Sequence, residues 1–101
     1  DPDPMVVKHI LENPRCTERE VLAAASRRPQ RIEVLEEIFR SRRWSSNRRV
    51  RRALALNPYT PPALASAALA LLTAPDLREV AGDLTISADV RVQARRLLGG
   101  R

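Results

Sequence analysis

The 101-residue sequence is short of aromatic rings, glycine and cysteine. Aromatic residues make up only 3% of it, so a core must be built from Ala, Leu, Val and Ile, which suits closely packed helices better than stacked sheets. Eight prolines outnumber three glycines and are expected to punctuate helices rather than hairpins. The single cysteine, Cys16, rules out an internal disulfide and indicates a reducing compartment, so we expect a cytoplasmic protein.

Clusters of reactive side chains are also missing. A metal site needs three or four ligands, and no cluster in the sequence supplies them. There is no glycine-rich phosphate loop and no evident pair of carboxylates. His9 and Cys16 could meet as a nucleophile pair, but no third residue supports this, and we interpret His9 as covering a helix edge and Cys16 as a small hydrophobe. The protein is therefore predicted not to be an enzyme and to hold no metal or cofactor.

Long apolar runs are absent as well. No run reaches the length that a membrane span needs, and no signal peptide is visible. The chain opens with the letters DPDP instead of Met, so we expect it to be a fragment of a longer protein. Its length is enough for one continuous core, and we predict a single helical domain over 1–101.

The sequence does contain a series of helix caps and breaks. Asp3 precedes a proline, as an N-cap before a first-position proline would, and Thr17 and Glu20 have the spacing of a capping box. Between these signals the apolar residues recur at helical spacing and leave no alternating strand pattern. The pattern predicts about seven short helices, at 4–12, 17–27, 31–42, 50–57, 61–72, 76–81 and 87–98.

The stretch 61–72 is apolar on almost every side and is predicted to be the central helix. We expect the Thr60 hydroxyl to cap it and Pro61 to take the first helical position. A helix without a polar face must be covered on several sides, so Leu64 and Leu69 are expected in the core.

One helix and its corner occur twice. The letters VVKHILENP at 6–14 and VRRALALNP at 50–58 align without a gap, and a threonine follows each within three residues. A degraded third copy, LREVAGDLTIS from Leu77, keeps the break and a possible Ser87 cap but lacks Asn-Pro. Helix–corner–helix units that repeat along a chain indicate a solenoid, in which each unit buries its apolar face on its neighbours.

These motifs resemble the leucine-rich repeat variant, a bacterial family similar in style to the HEAT and armadillo helical repeats. The resemblance covers 1–28 and 46–73 well, 76–98 loosely and 29–45 poorly, and Arg15-Cys16-Thr17 adds one residue to the first corner. The pairs that fit the family's pattern are Asp3-Pro4, Val50-Arg51, Asn57-Pro58 and Thr60-Pro61.

The resemblance implies a right-handed stack of short helices that serves as a binding surface or spacer. The family's founding member is associated with an iron–sulfur cluster held by a separate cysteine cluster, and one cysteine cannot bind such a cluster, so that function does not transfer. We predict an all-α short-helix solenoid whose binding surface is the concave face, lined by the second helix of each pair.

Positive charge is concentrated in one quarter of the chain. The formal net charge is +6, and residues 27–52 hold ten arginines against three glutamates. This segment is the one candidate site. The predicted binding surface consists of Arg40, Arg42, Arg43, Trp44, Arg48, Arg49, Arg51 and Arg52.

Two interpretations of this surface stay open. The arginines could bind phosphates while Trp44 stacks on a base. They could equally be solvated charge, partly paired with glutamates, or could meet an acidic protein. We expect Trp44 to pack over a helix end, and Arg42, Arg43, Arg48 and Arg49 to tolerate glutamate because none should be buried. The predicted function is a non-catalytic helical-repeat scaffold or protein-binding module, with a nucleic-acid-binding helical repeat as the alternative.

Overall fold

The computed structural model describes residues 3–100, and the regular structure in that range is helical. The helices are α1 (Pro4–Glu12), α2 (Glu18–Ser26), α3 (Ile32–Arg40), α4 (Arg42–Ser45), α5 (Arg48–Leu56), α6 (Pro62–Ala68), α7 (Ala74–Gly82) and α8 (Ala88–Gly99), and a 3-10 turn, Leu69–Leu71, continues α6. No strand occurs within 3–100, so the all-α prediction is confirmed. Within 3–100 there is one α-helix more than the seven expected, because a separate short helix, 42–45, lies between the helices predicted at 31–42 and 50–57.

Two helix starts, those of α1 and α2, follow the predicted caps. The Asp3 carboxylate accepts from the backbone N–H of Met5 at 2.8 Å. Thr17 and Glu20 complete their capping box. The Glu20 carboxylate accepts from the backbone N–H of Thr17 at 3.0 Å, and the Thr17 hydroxyl accepts from the backbone N–H of Glu20 at 3.2 Å. The Asn47 side chain accepts from the N–H of Val50 at 3.2 Å.

The start of α6 differs from its prediction. Pro61 is the N-cap and Pro62 the first helical residue, while Thr60 is 5% exposed and its hydroxyl has no hydrogen-bond partner within 3–100. The physical reason is Pro62, because a proline disfavours the α conformation in the residue before it. Pro61 therefore stays extended, and the helix begins one residue later than expected.

The predicted helix 61–72 is also shorter and less covered than expected. It ends at Ala68, and the 3-10 turn that follows buries Leu69 and Leu72. A turn of three residues places these two leucines on the same side, which an α-helix does less well. Leu71 is 48% exposed, so this segment packs on one side and faces solvent on the other.

The helices form two rows. In one row α2 packs on α5 and α5 on α7; in the other, α1 packs on α3, α3 on α6 and α6 on α8. The rows contact each other through α2 and α3, α5 and α6, and α7 and α8. Both contribute to one hydrophobic core, whose largest fully buried side chains include Leu35, Ile38, Leu54, Leu69, Leu77 and Val80. No helix within 3–100 combines the length and apolar character needed to cross a membrane.

Three corners between helices share one hydrogen-bond pattern, at Asn13, Asn57 and Asp83. The side-chain oxygen of each accepts from the backbone N–H two residues later, at 2.9 Å in all three cases. The backbone carbonyl of each accepts from the N–H three residues later, at 2.9, 3.0 and 3.1 Å respectively. Aspartate thus replaces asparagine in the third corner without changing these bonds, since both side chains offer an acceptor oxygen.

The corners also have the same length. Counting from Asn13, Asn57 or Asp83, the third residue that follows is buried, and the fourth is the N-cap of the next helix. The buried residues are Cys16, Thr60 and Ile86, and the N-caps are Thr17, Pro61 and Ser87. The extra residue expected in the first corner is therefore wrong, because it depended on Thr60 as the cap. Ser87 takes the predicted position, although its side chain makes no capping hydrogen bond.

Side chains tie neighbouring helices together at a recurrent sequence separation. Trp44 Nε1 donates to the carbonyl of Leu11, 33 residues earlier, at 3.0 Å. Arg52 reaches Glu79, 27 residues later, at 2.6 Å. Further bonds from the arginines and asparagines of 28–57 have separations between these two values, so most of these side chains link one helix pair to the next.

Candidate functional site

The eight residues predicted to form one binding surface lie in separate environments. Trp44 is 5% exposed, and its indole N–H is bonded to the carbonyl of Leu11. The ring therefore packs against the end of α1, as expected, and its place in a binding surface stays a prediction that this burial does not favour. A ring buried against α1 has no face left on which a base could stack.

Two of the arginines bond to the backbone of other segments. The guanidinium of Arg43 lies 4.4 Å from the centroid of the Trp44 ring and donates to the carbonyls of Asn13 and Cys16 at 3.1 and 3.0 Å. Glutamate at position 43 would remove these bonds, so the expected tolerance does not hold there. Arg51 donates to the carbonyls of Ser45 and Ala67 and lies over the Phe39 ring, and burial lowers its pKa.

Arg40 and Arg42 lie at a groove of about 390 Å³ between α1 and α3. Arg40 is paired with Glu37 at 2.9 Å, and Glu12 lies on the same groove, so charges of both signs line it. Arg42 is exposed, and its guanidinium has no hydrogen-bond or ion-pair partner in the described part of the chain, although its carbonyl accepts from the Ser46 hydroxyl. Lys8 lines the groove as well, so among residues 3–100 it offers two cations without side-chain partners, Lys8 and Arg42, beside two carboxylates.

The remaining arginines converge. Arg48, Arg49 and Arg52 project from α5 into a groove of about 520 Å³ between α2, α5 and α7, and Arg28 lines it from the segment after α2. We call this the arginine groove. Its apolar lining is Leu22, Ala53 and Leu56, and its acidic residue is Asp76.

Asp76 holds two of these arginines in place. Its carboxylate accepts from Arg48 Nη1 at 2.6 Å and lies 3.5 Å from Arg52 Nε, while Arg52 Nη2 reaches Glu79 at 2.6 Å. Burial alone would raise the pKa of Asp76, but hydrogen bonds from Arg48 and Thr73 outweigh it and hold the pKa below its ordinary value. The carboxylate therefore stays ionised and fixes both guanidinium groups at the groove.

The other two arginines differ in their bonding. Arg28 Nη2 donates to the carbonyl of Leu56 at 2.6 Å and so joins the end of α2 to the end of α5. Arg49 is exposed, and its guanidinium has no hydrogen-bond or ion-pair partner among residues 3–100. It occupies the first turn of α5, which carries no acidic residue, so its charge meets the positive end of the helix dipole. An anion at this place would relieve that repulsion.

Sequence reasoning missed Arg28 and Asp76 as parts of the site. Arg28 lies inside the basic segment 27–52, but nothing local distinguishes it from its neighbours. Asp76 reads as an ordinary first-turn acid, and it does complete a capping box with Thr73. Its second role depends on a residue 28 positions away, Arg48, and no local pattern reports such a pairing.

The two reactive side chains named from sequence, His9 and Cys16, lie in different environments. His9 is exposed, while Cys16 is buried and burial raises the pKa of its thiol, which disfavours the nucleophilic thiolate. No three of the His, Cys, Asp and Glu side chains within 3–100 are grouped as metal ligands would be.

Comparison with known proteins adds no relative. No family model matches the chain, and neither the curated proteins nor the solved structures give a significant match.

Proposed function

We propose that this protein is a non-catalytic helical-repeat scaffold, a short-helix solenoid similar to the leucine-rich repeat variant, that binds a partner protein in the bacterial cytoplasm. Three corners with the same hydrogen bonds support the repeat, and so does the separation of 27 to 33 residues between tied side chains. Helices packed in two rows are compatible with such a stack. The aligned helices α1 and α5 lie in different rows, so the packing supports stacked helices but not the equivalence of these two copies.

The arginine groove is the observation that carries the binding proposal. It is a concave groove with a volume of about 520 Å³, formed by three successive helices of one row. Its lining combines guanidinium groups with apolar side chains. Concave, partly apolar surfaces with a few directed polar groups are typical of binding sites. The groove lies on α2, α5 and α7, so the proposed binding face includes the first helices of two pairs rather than the second helices expected from sequence.

Nucleic acid binding is the second candidate function. Exposed arginines without partners within 3–100, Arg42 and Arg49, favour it. Its weaknesses are the buried Trp44 ring and the carboxylates already paired with Arg48 and Arg52. Binding to a mixed-sequence oligonucleotide that falls steeply with salt would support this alternative, because each neutralised phosphate adds about one unit to the log–log slope.

A photo-crosslinking experiment tests the protein-binding proposal. A benzophenone amino acid replaces Ser26, which is exposed and lines the groove, or Ala88, which is exposed at the start of α8 in the other row. We expect a discrete crosslinked protein from position 26 alone, and we expect that protein, once identified and purified, to bind the unmodified chain. Identical products from both positions, crosslinks to nucleic acid, or no binding by the purified protein would overturn the proposal.

A further inference from the structure

We infer that the arginine groove takes an extended acidic segment of the partner protein, in which Asp or Glu carboxylates alternate with apolar side chains. This inference rests on the proposed function. It is carried by the donors left unused in the groove, by the local charge balance and by the apolar lining between the arginines.

The arginines of the groove keep most of their donors free. A guanidinium group has five N–H donors in a planar fork that matches a carboxylate. Arg28 spends one on the carbonyl of Leu56, Arg48 spends one on Asp76, and Arg49 spends none on residues 3–100. Because these internal bonds already hold Arg28 and Arg48 in place, their remaining N–H groups can donate to a ligand carboxylate with little further loss of side-chain freedom.

The charge balance favours a ligand with few charges. Four guanidinium groups line the groove, and three carboxylates lie near them: Asp76, Glu79 and Asp83. Asp83 belongs to this set because the charge of Arg28 contributes to its lowered pKa, after the hydrogen bonds from Thr85. An excess of one cation suits a segment with one or two carboxylates, whereas a nucleic acid backbone needs several unpaired cations to release its counterions.

Apolar side chains separate the arginines. Leu22 from α2 is half-buried, and Leu56 from α5 is 9% exposed, so both present apolar surface to the groove. A phosphodiester backbone has nothing to place on this surface, whereas a peptide places an apolar side chain there. Arg49 and Leu56 lie about two turns apart on α5, a distance of about 10 Å. Together they therefore favour an acidic residue and an apolar residue about three positions apart in an extended segment.

The test uses a short fluorescein-labelled peptide of alternating glutamate and leucine, followed by fluorescence anisotropy. The main variant is Arg49→Gln, and Arg42→Gln is the matched control. Both side chains are exposed and both guanidinium groups lack partners within 3–100, but only Arg49 lines the arginine groove. We expect Arg49→Gln to weaken binding about tenfold, as loss of a charge-assisted hydrogen bond does, and Arg42→Gln to leave it unchanged. Thermal unfolding curves show whether each variant is folded.

A second pair of variants keeps the test independent of Arg49. Ser26→Glu places a carboxylate in the groove and should abolish peptide binding, whereas Ala88→Glu should not. A peptide with glutamine in place of glutamate should fail to bind. Equal losses in Arg49→Gln and Arg42→Gln, undiminished binding of the glutamine peptide, or tighter binding of a mixed-sequence oligonucleotide would each overturn the inference.

The two proposals fail in different ways. If position 26 crosslinks a protein that binds when purified, but the acidic peptide does not bind, only the chemistry of the segment is wrong. If no protein is crosslinked at position 26, the protein-binding function is wrong, whatever the peptide does.

Discussion

The corners at Asn13 and Asn57 have the same local hydrogen bonds but different surroundings. Asn13 is exposed, and backbone carbonyls of its corner, those of Asn13 and Cys16, accept hydrogen bonds from Arg43. Asn57 is 1% exposed, and its side-chain Nδ2 donates hydrogen bonds to the carbonyls of Ala25 and Arg27, both at 2.9 Å. The comparison separates the shape of a corner, which its own residues determine, from its contribution to stability, which the neighbouring helix determines.

The largest difference should come from removing the two asparagines. Asn57→Ala leaves the buried carbonyl of Ala25 and the carbonyl of Arg27 without their donor, and we expect it to lower the free energy of unfolding by about 2–4 kcal/mol. Urea unfolding followed by far-ultraviolet circular dichroism measures this. Asn13→Ala is the matched control and should cost less than about 1 kcal/mol, since it loses one exposed bond. Equal losses would mean that the local turn, not burial, sets the energy.

The first corner should respond more to its neighbour than to its own asparagine. Trp44→Phe keeps most of the ring but leaves the carbonyl of Leu11 unpaired in the core, and we expect a loss of about 1–3 kcal/mol. Tyr59→Phe is the control, because that ring is 48% exposed and lies at the second corner. The same unfolding measurement applies, and a loss in Trp44→Phe no greater than that in Asn13→Ala would contradict the comparison.

Acid should weaken the side of α5 that faces α7, because the Asp76 carboxylate joins these two helices. The pKa of Asp76 is lowered below its ordinary 3.8, so as pH falls through that range the unfolded chain takes up a proton before the native protein does. The stability that this carboxylate contributes is present above about pH 4 and is lost below it. We expect Asp76→Asn to flatten the fall of the free energy of unfolding between neutral and acid pH, and an unchanged slope would contradict this role.

The smallest effect should have the opposite sign. Thr60 occupies the buried position that Cys16 takes in the first corner and Ile86 in the third, but its hydroxyl has no hydrogen-bond partner among residues 3–100. Thr60→Val removes the unpaired hydroxyl at nearly constant volume, so we expect stability to stay level or rise by up to about 1 kcal/mol. A clear loss of stability would indicate that the hydroxyl is bonded after all.

The sequence predicts the elements that depend on adjacent residues. The Asp3 cap, the Thr17–Glu20 capping box and the breaks at Asn13 and Asn57 were all readable, because each depends on side chains within four positions. The α6 cap was misplaced although its signal is local: the restriction that Pro62 imposes on Pro61 outweighs the preference for threonine at an N-cap.

The site was less predictable, because its geometry depends on distant pairings. A run of arginines predicts the sign and amount of charge, but it does not predict which of the side chains bond to other parts of the fold. Arg43 and Arg48 look alike in sequence, yet Arg43 is bonded to the first corner and Arg48 to Asp76 on α7. Only packing separates them from Arg49, whose guanidinium has no partner within 3–100.

The recurrent separation of tied side chains also bears on how the protein opens. None of these ties spans more than 33 residues, so each joins a helix only to its near neighbours in the chain. Opening at either end breaks ties to the adjacent helices only, whereas α5 is tied to α2 and its following segment by Arg28 and Asn57 and to α7 by Arg48 and Arg52. Backbone amides should therefore exchange with deuterium slowest in α5 and progressively faster toward both ends, as a stack that opens from its ends would do.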